Sequence, residues 1–97
     1  MTRRDRYLLS KYGITEAEYD KLVDAGGGGC WVCGHHPTGR SLHVDHNHKE
    51  RNSRKSVRGL LDWRCNAGLA RFSDDPARLR AAANYLESNT AQEVLDA

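Results

Sequence analysis

The spacing of three cysteines constrains this chain more than any other feature. Cys30 and Cys33 close the run CWVC, with Gly34 behind it, and Cys65 ends the run DWRC 32 residues beyond Cys33. A C-x2-C turn lets two thiolates reach one ion, and a structural zinc site wants four ligands in a tetrahedron. In DWRC, Asp62 stands where a second C-x2-C pair would have its other cysteine. Its carboxylate can bind zinc, so Cys30, Cys33, Asp62 and Cys65 form the expected set, with His35 or His36 as the alternative fourth ligand. An odd cysteine count suits a metal site better than a disulfide framework. The need for a cross-link is plain from composition: 97 residues, 38% hydrophobic, with one Phe and two Trp. A core of that size gives only marginal stability by itself.

Around the cysteines the chain reads as one small α+β domain over 1–97. A helical lead covers 1–26, a zinc-bearing core 30–72, and a C-terminal helix 74–88. Tyr7 to Tyr12 ends a short helix stopped by Gly13. In ITEAEYDKLVDAG, Thr15 is the N-cap, Glu18 completes a capping box, and Ile14 can staple onto Tyr19. Tyr19, Leu22 and Val23 form its apolar face. The run Gly26 to Gly29 holds neither helix nor strand. SLHVD and VRGLL are two short strands joined by a polar, basic loop. Cys65 to Phe72 is helical, with Asn66 in its first turn. DDPARLRAAANYLES is a last helix, capped by Asp74 or Asp75 with Pro76 in the first turn and a buried stripe of Leu79, Ala82, Ala83 and Leu86. TAQEVLDA adds about one turn more.

The densest chemistry lies in LHVDHNH, Leu42 to His48, which holds three of the five histidines. Positive charge surrounds it. Residues 40–71 carry eight Lys and Arg against three acidic side chains, and residues 1–11 carry four against Asp5. That distribution fits a polyanion such as nucleic acid. In a regular strand Asp45 and His46 would face opposite ways, so both can address one phosphate only if the strand ends or bends there. Asp45 and the Asn66 carbonyl offer hard oxygens to Mg²⁺ or Mn²⁺. His46, near neutral at pH 7, can take a proton from water. His43 fits a packing role better than a catalytic one. Arg51, Arg54 and Lys55, in the basic loop, are expected to contact DNA phosphates.

These residues carry a resemblance. LHVDHNH, followed by VRGLLDWRCN and preceded by C-x2-CG, resembles the recombination endonuclease VII family of HNH nucleases, common in bacteriophages. YGITEAEYDKL and FSDDPARLRAAANYL resemble the flanks of its short phage members, so the likeness runs from about Tyr12 to Leu86. It implies a zinc-stabilised ββα-metal (His-Me finger) fold, with the hairpin and the helix after Cys65 as catalytic unit. Carried onto this chain, it implies Asp45 and Asn66 as ligands of the catalytic cation and His46 as general base. His48 would contact phosphate or metal, and Arg58 would hold a substrate phosphate. Asn47 stands where many members have Asp, and Asp62 replaces a zinc cysteine.

The expected function is therefore a metal-dependent DNA endonuclease, nicking or cutting duplex. The other class is a zinc-stabilised DNA-binding module without catalysis, which would not need Asp45, His46 and Asn66 together. The chain has no apolar run near the roughly 20 residues of a membrane helix, and MTRRDRYLL lacks a signal-peptide core. A cytoplasmic setting (the host's, if phage-encoded), no membrane partner and a monomer are expected. DNA-packaging machinery is the partner that phage relatives suggest.

Overall fold

The computed structural model describes residues 1–38, 42–47, 49 and 53–97. Arg40, Ser41, His48, Glu50 and Arg51, which figure in the sequence reading, lie outside the described residues. The architecture is α+β: helices α1 (Arg3–Tyr12) and α2 (Glu16–Ala25), strands β1 (His43–His46) and β2 (Val57–Leu61), then helices α3 (Trp63–Arg71), α4 (Pro76–Glu87) and α5 (Thr90–Asp96). A 3-10 turn, Arg54–Ser56, leads into β2. Among the described residues, no helix is long and apolar enough to cross a membrane. The chain divides into two compact units, Met1–Ala67 and Gly68–Ala97.

In the first unit, the helices start where local hydrogen bonding dictates. Thr2 and Asp5 form a capping box at α1, and Thr15 and Glu18 form another at α2, each satisfying amides that a helix start leaves bare. The α1 box sets the start of the helix that ends, as expected, at Tyr12 before Gly13. Gly13 closes α1 at φ 74°, a left-handed conformation costly for side-chain residues. A Cβ there would also come within 2.7 Å of the Arg54 backbone nitrogen. Asp5 Oδ1 accepts the Glu16 amide at 2.8 Å, tying the second helix to the first. The Glu18 carboxylate pairs with Arg54 and so anchors α2 to the 3-10 turn.

β1 and β2 pair antiparallel, His43 with Leu61, Val44 with Leu60, Asp45 with Gly59 and His46 with Val57. The register breaks between Asp45 and His46, leaving Arg58 as the extra residue on β2. β1 thus begins at His43, later than SLHVD suggested. Leu8, Ile14, Tyr19, Cys30, Leu42, Val44, Leu60 and Leu61 are the buried apolar positions. Each fully buried large side chain stabilises by about 1.5–3 kcal/mol, so this short set leaves room for a metal to matter. Tyr19 reaches across the core, its hydroxyl donating to the Leu42 carbonyl at 2.8 Å. The Trp31 indole lies over Gly59, where a Cβ would sit 2.6 Å from the ring.

In the second unit, Asp75 caps α4 by accepting the Ala77 amide, with Pro76 in the first turn. Before it, Ser73 and Asp74 both take positive φ. The expected buried stripe of α4 is not found. Leu79 and Ala82 are half-covered, whereas Ala83 and Leu86 are exposed, Leu86 at 81%. The 3.6-residue pattern is present, but nothing within this unit is large enough to cover it.

Candidate metal centre and catalytic strand

The knuckle is built by the backbone. The Gly34 amide donates to the Cys30 carbonyl at 2.9 Å, and the Cys30 amide to the His35 carbonyl at 2.9 Å. Gly34 sits at φ 79°, closing the turn. Trp31 then joins the sheet edge, its amide donating to Leu60 O at 3.0 Å. These bonds bring the CWVC turn beside the end of β2, which runs straight into Asp62 and α3. One potential ligand atom each from Cys30, Cys33, Asp62 and Cys65 then falls in a group whose members all lie within 4.8 Å of one another. Three sulfurs and one carboxylate oxygen so close are a donor set that can hold a metal ion. His35 and His36 are exposed and outside this group. They line, with Cys33, Asp62, Trp63, Arg64 and Cys65, a neighbouring cavity of about 750 Å³.

Asp62 does two things, only one of which the sequence suggested. Its Oδ2 lies 3.0 Å from Cys33 Sγ, and its Oδ1 accepts the Cys65 amide at 2.8 Å. The second contact is an N-cap, and it explains why α3 begins at Trp63 rather than Cys65. The signal was available, since Asp before a helix is among the preferred caps. The Cys65 amide and the Cys33 thiol hold the Asp62 carboxyl below its ordinary range. The thiols respond oppositely. Burial would raise Cys30, but the amides of Cys33, Asp62 and Val32 outweigh it and bring that thiol down to about 7. The Asp62 carboxylate pushes Cys33 up. Burial and the neighbouring thiols push Cys65 up to about 12.

At the other end of the hairpin, Asp45 is 8% exposed and Arg58 grips it with both arms of a fork. Arg58 Nε donates to Oδ2 at 2.8 Å and Nη2 to Oδ1 at 3.0 Å, a bidentate charge-assisted pair. The bulge makes this possible, because the extra residue on β2 is Arg58 itself. His46 is half-buried next in line, its ring centroid 5.6 Å from that of Tyr12 and tilted 55°. His43 is exposed. Asn66 is half-buried on α3, its amide donating to the Asp62 carbonyl at 3.0 Å, so it stands one turn inside the helix rather than capping it. Of the basic-loop candidates, Lys55 is exposed, while Arg54 is committed to Glu18. That ion pair, first through its hydrogen bond, lowers the Glu18 carboxyl to about 2.

Comparison with known proteins agrees with the motifs. The family model for recombination endonuclease VII matches residues 5–88. The Gene 59 protein of Mycobacterium phage D29 is 36% identical over 90 residues, covering 91% of this chain and 52% of that relative. The Gene 59 protein of Mycobacterium phage L5 is 34% identical over 91 residues, with the same coverage of 91% and 52%. The chain therefore spans about half the length of these curated relatives. No solved structure gives a significant match. A model match over most of the chain, on a fold that carries the family's hairpin, helix and cysteine cluster, makes this chain a member of the recombination endonuclease VII family.

Proposed function

We propose that this chain is an HNH-type DNA endonuclease, hydrolysing phosphodiester bonds with a divalent cation, Mg²⁺ or Mn²⁺, around a structural zinc. The observation that carries this reading is the register break at Asp45–His46. A regular strand would send these neighbours to opposite faces; here the pairing is irregular at that step, with the extra residue on β2, and β1 ends at His46, which favours a strand end where one phosphate could meet both.

Cys30, Cys33, Asp62 and Cys65 would hold the zinc, which ties the knuckle to the start of α3. Asp45 and Asn66 would hold the catalytic cation. Asp45 fits that part, being a buried carboxylate at the strand end. Arg58 uses one lone-pair direction on each oxygen, and a carboxylate has about four. Hard oxygens suit Mg²⁺. The cation would supply charge stabilisation for the departing 3′ oxygen. His46 takes the proton of the attacking water, leaving 5′-phosphate and 3′-hydroxyl ends. Arg58 orients Asp45 and brings positive charge to the strand end where the phosphate docks. His48, Arg51 and Lys55 add phosphate contacts, with Lys55 the most available of those described, while Arg54 is paired with Glu18.

The substrate is duplex DNA, cut or nicked by a monomer in the cytoplasm of a phage host, with packaging machinery as the candidate partner. Supercoiled-plasmid cleavage, with EDTA and then with Mg²⁺ and Zn²⁺ restored, tests the enzyme. Cleavage that stops and returns supports it. DNA binding with no cleavage under any metal condition would make this a binding module instead.

A further inference from the structure

We infer that Tyr12 is a positioning residue for His46, so that α1, which belongs to neither the hairpin nor the cysteine cluster, sets the orientation of the proposed base. This rests on the reading of His46 as general base. His46 is the last residue of β1, paired with Val57 just past the break in register, at the end of the strand. The ring contact with Tyr12 at 5.6 Å and 55° restrains its imidazole from the side of α1.

Tyr12 is itself held. Tyr7, one and a half turns earlier on α1, meets it edge-on at 6.4 Å and 81°. The Lys11 ammonium lies 5.9 Å from the Tyr12 ring and 5.6 Å from that of Tyr7. The end of α1 is locked by Gly13, whose left-handed turn presses against the Arg54 backbone. Arg54 in turn pairs with Glu18 on α2, and α2 is tied to α1 through Asp5. The two N-terminal helices are thus fastened to the segment that leads into β2. That gives Tyr12 a fixed place from which to hold a side chain at the strand end.

An aromatic pair of this geometry is worth a factor of about 2 to 12 in the population of one arrangement. The catalytic rate should fall by that factor when it is lost. The experiment uses the zinc-loaded full chain with Tyr12→Leu, Tyr12→Phe, His46→Ala and the double variant Tyr12→Leu/His46→Ala. Plasmid cleavage is measured as kcat and KM, with a melting curve for each protein. Tyr12→Leu should lower kcat about 2- to 12-fold with KM little changed, and Tyr12→Phe should restore it. In the His46→Ala background Tyr12→Leu should have no further effect, because there is no base left to orient. An equal further loss in that background would overturn the inference and make Tyr12 structural, whatever its effect on melting. Parent-like kcat in Tyr12→Leu with an inactive His46→Ala would also overturn it, leaving the base assignment intact. A fully active His46→Ala would overturn the reading on which it rests.

Discussion

Replacing Asp62 separates a metal ligand from a helix cap. One carboxylate oxygen caps α3 through the Cys65 amide, and the other faces Cys33 Sγ. Asp62→Asn keeps an oxygen that can cap, since Asn and Asp are about equal as N-caps, but removes the anion. Asp62→Ala removes both. The difference between these two variants is then the cap, about 1 kcal/mol. Where metal binding and folding are one equilibrium, that appears as an about fivefold weaker zinc affinity. In a domain of this size it also lowers Tm by about 4–8 °C. The parent-to-Asn difference is the ligand, and Asp62→Cys should match or exceed the parent by restoring a full second knuckle. Zinc affinity is read by competition with a chromophoric chelator at fixed pH, and Tm by circular dichroism. Equal values for Asn and Ala would refute the cap. Equal zinc affinity for parent and Asn would refute the ligand and turn attention to His35 or His36.

Zinc binding should release about two to three protons per chain at pH 7, because Cys33 and Cys65 are pushed up and Cys30 sits near 7. Calorimetry in buffers of different ionisation enthalpy measures this, and release of fewer than one proton would contradict a three-thiolate site. Stripping the zinc should abolish the helical circular dichroism signal, since the buried apolar set is small; an apo chain that keeps it would contradict a structural role. Tyr19→Phe removes the buried hydrogen bond to Leu42 O and should cost about 1–3 kcal/mol by leaving that carbonyl unsatisfied, read as a lower Tm. Lys55→Ala should lower the salt slope of DNA binding by about 0.9 if it contacts one phosphate. Arg54→Ala should change that slope less and Tm more, because its charge is paired with Glu18. Equal slopes for both would contradict that distinction.

What could be read from the chain beforehand was what local chemistry encodes. The caps at Thr15 and Asp75 follow from short-range hydrogen bonds, and both helices start there. The hairpin and the grouping of Cys30, Cys33 and Cys65 with Asp62 follow from motif spacing. What was hidden depends on partners distant in sequence. The sequence offers Arg58 as a phosphate contact, and its fork onto Asp45 appears only once the bulge places them together. The sequence offers Arg54 as a DNA contact, while Glu18, far away in sequence, pairs with it. The α4 stripe shows the opposite limit, because periodicity marks an apolar face without supplying anything to cover it. The cap role of Asp62 is legible too, as an Asp directly before a helix, although the cysteine motif points first to a ligand.

The central claim is that the Asp45–His46 strand end cleaves DNA with His46 as base. It is tested most directly by a plasmid cleavage time course comparing parent and His46→Ala, each zinc-loaded and supplied with Mg²⁺. His46→Ala should be slower by about 10²–10⁴-fold, the usual cost of losing a general base, with zinc content, circular dichroism and DNA affinity unchanged. A His46→Ala protein that cleaves at the parent rate would contradict the account.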